Sequence, residues 1–134
     1  MKVLFLDIDG VLNRYGENAT KERFKGMLGI DMELLGLFKQ IHLVNVVLSS
    51  TWRLYKAHLK EVRRHIDIFD VTPCTGLHRH TEISLWLEGR EVEDFVILDD
   101  DIDAHIEGHF FHVRNGLTSE IVDKVNHRLI NGRS

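Results

Sequence analysis

The sequence contains one cysteine, Cys74, and one proline, Pro73. A single cysteine excludes an internal disulfide and suits a reducing, cytoplasmic compartment. The lone proline falls with Gly76 in residues 72–80, which read as a loop. Long hydrophobic runs are missing too. No segment approaches the roughly 20 apolar residues that span a bilayer, so no membrane contact is expected. The apolar run near the N-terminus is shorter than a signal-peptide core and leads into acids. There is no repeat and no low-complexity tract. Nor is there an excess of basic charge: the formal net charge is −4. That gives no global electrostatic case for nucleic acid, but it leaves room for a local basic patch. What remains is ordinary for a globular chain, 43% hydrophobic and 28% charged over 134 residues. This is enough for one domain, expected over 1–134, with a real core.

The chain is organised around residues 2–13, KVLFLDIDGVLN. Val3, Leu4, Phe5 and Leu6 form a continuous apolar run that ends in Asp7, Ile8, Asp9 and Gly10. Such a run suits a strand buried on both faces of a parallel sheet. The same pattern recurs at 43–48, ending in Ser49, Ser50 and Thr51, and at 95–98, ending in Asp99, Asp100 and Asp101. Residues 110–113 read as a fourth strand and 66–71 as a short one. Between them lie helical patterns. One is capped by Asp31 and runs to about Gln40. A second covers 52–66, with Trp52, Tyr55, Leu59, Val62 and Ile66 on one face. A third covers 81–88, and the last is capped by Thr118 and followed by Gly132. Residues 14–29 read as a turn and flap over the strand tips. Strands alternating with helices argue for an α/β, Rossmann-like three-layer sandwich with a mainly parallel sheet. Ligands bind such sheets at the carboxyl ends of the strands, and three of those ends carry polar clusters.

Those clusters point to phosphoryl chemistry on a hard cation. Mg²⁺ takes near-octahedral oxygen from a few carboxylates, water and phosphate. Asp7 with Asp99 and Asp100 supplies the carboxylates. Asp7 is placed to attack phosphorus and Asp9 to move protons. A serine at the second tip can donate to the phosphoryl group, and Arg53 or Arg79 can balance its charge.

Asp7-Ile8-Asp9-Gly10-Val11-Leu12 resembles the first motif of the haloacid dehalogenase (HAD) superfamily. Leu48-Ser49-Ser50-Thr51-Trp52-Arg53 resembles its second, and Asp99-Asp100 after Val96-Ile97-Leu98 its fourth. The runs SSTWR, RHTEISLWL and VILDDD, with GLT at 116–118, are most similar to the small HAD domains of RNA repair proteins and to the phosphatase half of polynucleotide kinase-phosphatases. The resemblance implies an Mg²⁺-dependent phosphatase with Asp7 as nucleophile and metal ligand. Asp9 is then the acid/base and touches the metal through its backbone carbonyl. It further implies phosphate contact by Ser50, with Ser49 as the other register, and Asp99 and Asp100 as further metal ligands. The third motif is usually a lysine. No lysine lies between Lys60 and the fourth motif, and Arg79 fits the slot, at the head of the third helix. The insert between the first two motifs is about thirty residues, mostly one helix, which leaves no room for a large cap. A nucleotide or a nucleic-acid terminal phosphate is the expected substrate; a small-metabolite phosphatase and a non-catalytic phosphate- or metal-binding domain are the alternatives.

Rival readings fail or carry less. A calcium loop needs acids at positions one, three and five, glycine at six and glutamate at twelve. Counted from Asp7, positions five and twelve are Val11 and Asn18; counted from Asp99, positions six and twelve are Ala104 and Phe110. The histidines at 78/80 and 105/109/112 read as scattered surface residues rather than a zinc site. Arg53, Lys56, Lys60 and Arg63 form a basic stripe along the second helix, a solvated face or a track for nucleic acid. Trp52 and Trp86 read as core.

Overall fold

A computed structural model of the protein describes residues 1–42 and 44–132. The chain runs through β1 (Lys2–Leu6), a small hairpin of β2 (Arg23–Phe24) and β3 (Met27–Leu28), α1 (Met32–Phe38), β4 (Asn45–Leu48), α2 (Lys56–His65), β5 (Ile68–Val71), α3 (Arg79–Leu87), β6 (Asp94–Asp99), β7 (Phe110–His112) and α4 (Ser119–Asn131). Five strands form one sheet in the order β5-β4-β1-β6-β7, and every pairing in it is parallel. The run that opens the chain is therefore its middle strand.

The pleat of β1 sorts the core into two faces. Leu4 and Leu6 pack with Leu35 and Phe38 of α1, Val62 of α2, and Val122, Val125 and Leu129 of α4. Val3 and Phe5 point the other way, onto Ile83 and Trp86 of α3. Phe5 meets the Trp86 ring edge-on at 5.5 Å. Helices thus cover both faces, which is why β1 reads as continuously apolar: Val3 to Leu6 are all fully buried. Between β1 and β4 the described chain holds only the hairpin and α1, so the short insert builds no cap.

Register brings the tips level. Leu6 lies opposite both Leu48 and Leu98. One step on, Asp7 N–H donates to Leu98 O and Ser49 N–H to Leu6 O, each at 3.0 Å. Asp7, Ser49 and Asp99 therefore share one row across the sheet.

Local chemistry sets the element ends. Asp31 caps α1 by accepting from Glu33 and Leu34 N–H, and the Thr118 hydroxyl caps α4 at Ile121 N–H. The continuous helix expected over 52–66 is instead a short 3-10 turn, Thr51–Leu54, then α2. Tyr55 between them is extended, at φ −115° and ψ 120°, so it leaves the apolar face and is exposed. Helix α3 starts at Arg79, two residues before the expected Thr81, because Asp103 accepts the Arg79 N–H at 2.9 Å. The strand expected from Leu43 begins at Asn45; Leu43 lies outside the described residues. Among the described residues, no helix is long and apolar enough to cross a membrane.

Candidate active site

At the tips of β1 and β6, carboxylate oxygens of Asp7, Asp99 and Asp100 lie within 4.8 Å of one another. Asp7 is 4% exposed and Asp99 fully buried. From the start of α3, one guanidinium nitrogen of Arg79 reaches Asp99 Oδ2 at 2.8 Å and Asp7 Oδ1 at 3.4 Å. Burial, then the charge of Asp99, pushes the Asp7 carboxyl up to about 9, against the pull of Arg79. Burial likewise raises Asp100. Fully ionised, three carboxylates against one guanidinium carry two uncompensated negative charges in a largely buried, oxygen-only donor set. A hard divalent cation fits that chemistry and that charge.

Gly10 shapes the floor of the cluster. Its φ is +82°, and a Cβ added there would lie 2.2 Å from Asp100 Oδ2. Only glycine allows both the turn and this close approach.

Asp9 is held apart from the cluster. Its Oδ1 accepts from Asn13 Nδ2 at 2.9 Å and from Trp52 Nε1 at 3.2 Å, and its Oδ2 receives no hydrogen bond from the described residues. Asn13, fully buried, also accepts from Gly10 N–H and donates to Gly29 O. Two carboxylates two residues apart thus stand in different settings, one beside an arginine and two acids, the other in a neutral hydrogen-bonded cradle.

Both serines of the second motif are fully buried. The Ser49 hydroxyl donates to Leu6 O at 3.3 Å. The Ser50 hydroxyl accepts from Trp52 N–H at 3.1 Å, and its own proton has no acceptor among the described residues.

Arg53 differs from its expected place at the phosphate. All five of its N–H donors are spent on protein oxygens: Nε on Thr72 O, one terminal nitrogen on Ser49 O and Ser50 O, the other on Pro73 O and Glu82 Oε1. A guanidinium has only five such donors. The 3-10 turn points Arg53 inward, where it ties the serine loop to residues 72–73 and α3. The basic stripe consequently loses its first member; Lys56, Lys60 and Arg63 remain exposed on α2.

Asp103 holds α3 in place. One oxygen accepts from Arg79 N–H, and the other lies 2.7 Å from His78 Nδ1. His78 and His80, expected as scattered, stack at 5.3 Å between centroids and form a second possible ligand group with Asp103. The histidines at 105, 109 and 112 have separate partners: His112 Nε2 lies at Asp100 O, His109 Nδ1 at Phe95 O, and His105 beside Glu107.

Beside Asp9 opens a groove of about 770 Å³, bordered by Tyr15, Met27, Trp52, Tyr55 and His58. Sequence periodicity assigned Trp52 to the core. It is buried, but its indole N–H is what holds Asp9, a polar role that periodicity does not register. Asn13 carried one signal, a buried-type amide four residues after Asp9. Tyr15 carried none. A second cleft, of about 580 Å³, lies among Phe38, Val46, Ile66 and Phe69, away from the acids.

A family model described as the HAD domain in Swiss Army Knife RNA repair proteins matches residues 3–122. No curated protein matches the chain.

Proposed function

On the premise that the chain belongs to the family of HAD domains in Swiss Army Knife RNA repair proteins, we propose that it is a Mg²⁺-dependent phosphomonoester hydrolase working through an aspartyl-phosphate. The observation that carries this reading is the separation of the two acids. Asp7 sits with Asp99, Asp100 and Arg79, and Asp9 is held elsewhere by Trp52 and Asn13. Paired carboxyl groups in unlike environments are how a site runs nucleophilic and acid/base steps together.

Asp7, Asp99, Asp100 and the backbone carbonyl of Asp9 would hold the cation. When bound, Mg²⁺ supplies the positive charge that lets a carboxylate approach an anionic phosphoryl group. Arg79 stays charged at all working pH values and grips a phosphoryl oxygen. The Ser50 hydroxyl donates to another. An Asp7 oxygen forms its bond to phosphorus as the ester P–O bond breaks. Asp9 gives its proton to the departing oxygen. As a carboxylate, Asp9 then takes a proton from the water that attacks phosphorus; Asp7 is regenerated and inorganic phosphate leaves. The substrate is a nucleotide or a nucleic-acid terminal phosphate, a reading supported by the family and by the exposed Lys56, Lys60 and Arg63.

The test is phosphate release with Mg²⁺, and with chelator, from mononucleotides, 3′- and 5′-phosphorylated oligonucleotides and sugar phosphates. Asp7→Asn is expected to abolish release, and Asp9→Asn to slow it on substrates with poor leaving groups. Release that survives Asp7→Asn sinks the mechanism.

A further inference from the structure

The groove beside Asp9 has an unusual wall. Trp52, Tyr55, His58 and Phe24 form one aromatic cluster: Trp52 and His58 rings stand 4.9 Å apart at 85°, Phe24 and His58 4.9 Å apart at 81°, and Tyr55 and His58 5.5 Å apart. Tyr55 is 60% exposed and Tyr15 48%. Such exposure is ordinary for single residues, but here two tyrosines border one groove that also holds Asp9.

Tyr15 is also fixed. The Asn115 side chain, a hundred residues away, accepts from Tyr15 N–H at 2.7 Å and donates to Tyr15 O at 3.1 Å. A backbone held at both groups presents the ring at little ordering cost. Within the groove wall, His58 Nδ1 is buried and has no hydrogen-bond partner among the described residues. Exposed Lys25 and Lys56 adjoin, in the chain, the groove residues Gly26 and Tyr55.

We infer that this groove is the leaving-group subsite and that it takes a flat aromatic ring, a nucleobase, stacked on Tyr55 and Tyr15. The inference rests on the phosphohydrolase reading for the word leaving. It follows from what borders the groove. The acid that protonates the departing oxygen opens into it, so the departing group must lie there. Its aromatic faces favour a ring over a sugar or an alkyl chain, and they do so without sequence preference, since every base has a π-face. A volume of about 770 Å³ falls within the range of sites that enclose a small ligand. Lys25 and Lys56 add attraction for a neighbouring phosphate, as on a strand. Trp52 links the parts: the indole that borders the groove also donates to Asp9, so the ring lies one side chain from the proton donor.

The test compares 5′-AMP with ribose 5-phosphate and 3′-AMP with ribose 3-phosphate, pairs that differ only in the base. With Mg²⁺, kcat/KM is expected to be about 5- to 150-fold higher for the nucleotide, the range that base–aromatic stacking supplies. Tyr55→Ala and Tyr15→Ala remove that advantage, so that kcat/KM for the nucleotide falls toward that of the matching sugar phosphate; Tyr55→Phe keeps it. Both tyrosines are exposed, so truncation leaves the core intact. Adenosine is expected to quench tryptophan fluorescence of the wild-type protein, but not of Trp52→Phe. A phosphorylated trinucleotide beside the mononucleotide distinguishes a strand end from a free nucleotide. Equal kcat/KM for base and baseless substrates, untouched by either tyrosine variant, overturns the inference while the phosphatase stands. Adenosine quenching without release from any phosphate keeps the ring subsite and removes the phosphohydrolase.

Discussion

Replacing Arg53 by methionine keeps the length and apolar stem of the side chain while deleting five N–H donors at once. The carbonyls of Ser49, Ser50, Thr72 and Pro73 lose a partner. Glu82 loses its cation at 3.1 Å, with the two side chains only 4% and 9% exposed; it retains Thr75 N–H at 2.7 Å. Removing one member of a buried ion pair costs about 3–5 kcal/mol, since the other charge is left in a low dielectric. In a chain of 134 residues that corresponds to a fall in Tm of about 11–18 °C. Arg53→Lys recovers only part, because a lysine offers three donors and no planar fork. Arg53→Met with Glu82→Leu recovers more, because no unpaired charge remains. Thermal melts by circular dichroism measure all three. Phosphate release well below every melting point, at 15 °C, measures the site. KM for small phosphates is expected to move little, since Arg53 has no donor left for phosphate. A Tm within about 2 °C of wild type, combined with a large rise in KM, refutes this reasoning and returns Arg53 to the phosphate.

Three further outcomes follow from the acid cluster and the surface beside it. Asp7, raised from an ordinary 3.8 to about 9 by burial and Asp99, holds its proton more tightly folded than unfolded. Without metal, its contribution to stability is full below pH 3.8 and is lost as pH rises toward 9; Mg²⁺ should raise Tm most at high pH, and Asp7→Asn should flatten both trends in melts across that range. Gly10→Ala puts a Cβ against Asp100 at a positive φ; it should cost about 1–2 kcal/mol from the backbone alone and weaken Mg²⁺ binding by calorimetry, and unchanged affinity would remove the cradle. Neutralising Lys56, Lys60 and Arg63 together should slow release from oligonucleotides in a salt-dependent way and spare mononucleotides; equal loss on both speaks against a track.

Much of the site was legible because strand ends are. Buried runs stop where acids and serines begin, so Asp7, Ser49 and Asp99 announce themselves, and parallel register carries them to one row. The helix caps at Asp31 and Thr118 were readable for the same local reason. Arg53 was not. Its spacing matches a helical stripe, but the Ser50 cap tightens that turn into 3-10 geometry, and the side chain rotates inward. Asn13 and Trp52 act through polar atoms set in apolar surroundings, where hydropathy reports only the surroundings. Tyr15 owes its place to Asn115, a hundred residues away in the chain, and no local pattern encodes it.

The middle position of β1 has a cost in time. Both its neighbours in the sheet come later in the chain, β4 from Asn45 and β6 from Asp94. At about 5–20 residues per second of synthesis, roughly 5–20 s separate β1 from its last partner. Through that interval this largely apolar strand has at least one unpaired edge, the form most open to association with other chains. Asp7, the proposed nucleophile, sits at the end of that strand, so it takes its place only when the last sheet neighbour docks. Appearance of phosphatase activity during refolding should therefore track formation of the β1–β6 pairing, as read by amide protection at Leu4 and Leu6, rather than the earlier gain of helix.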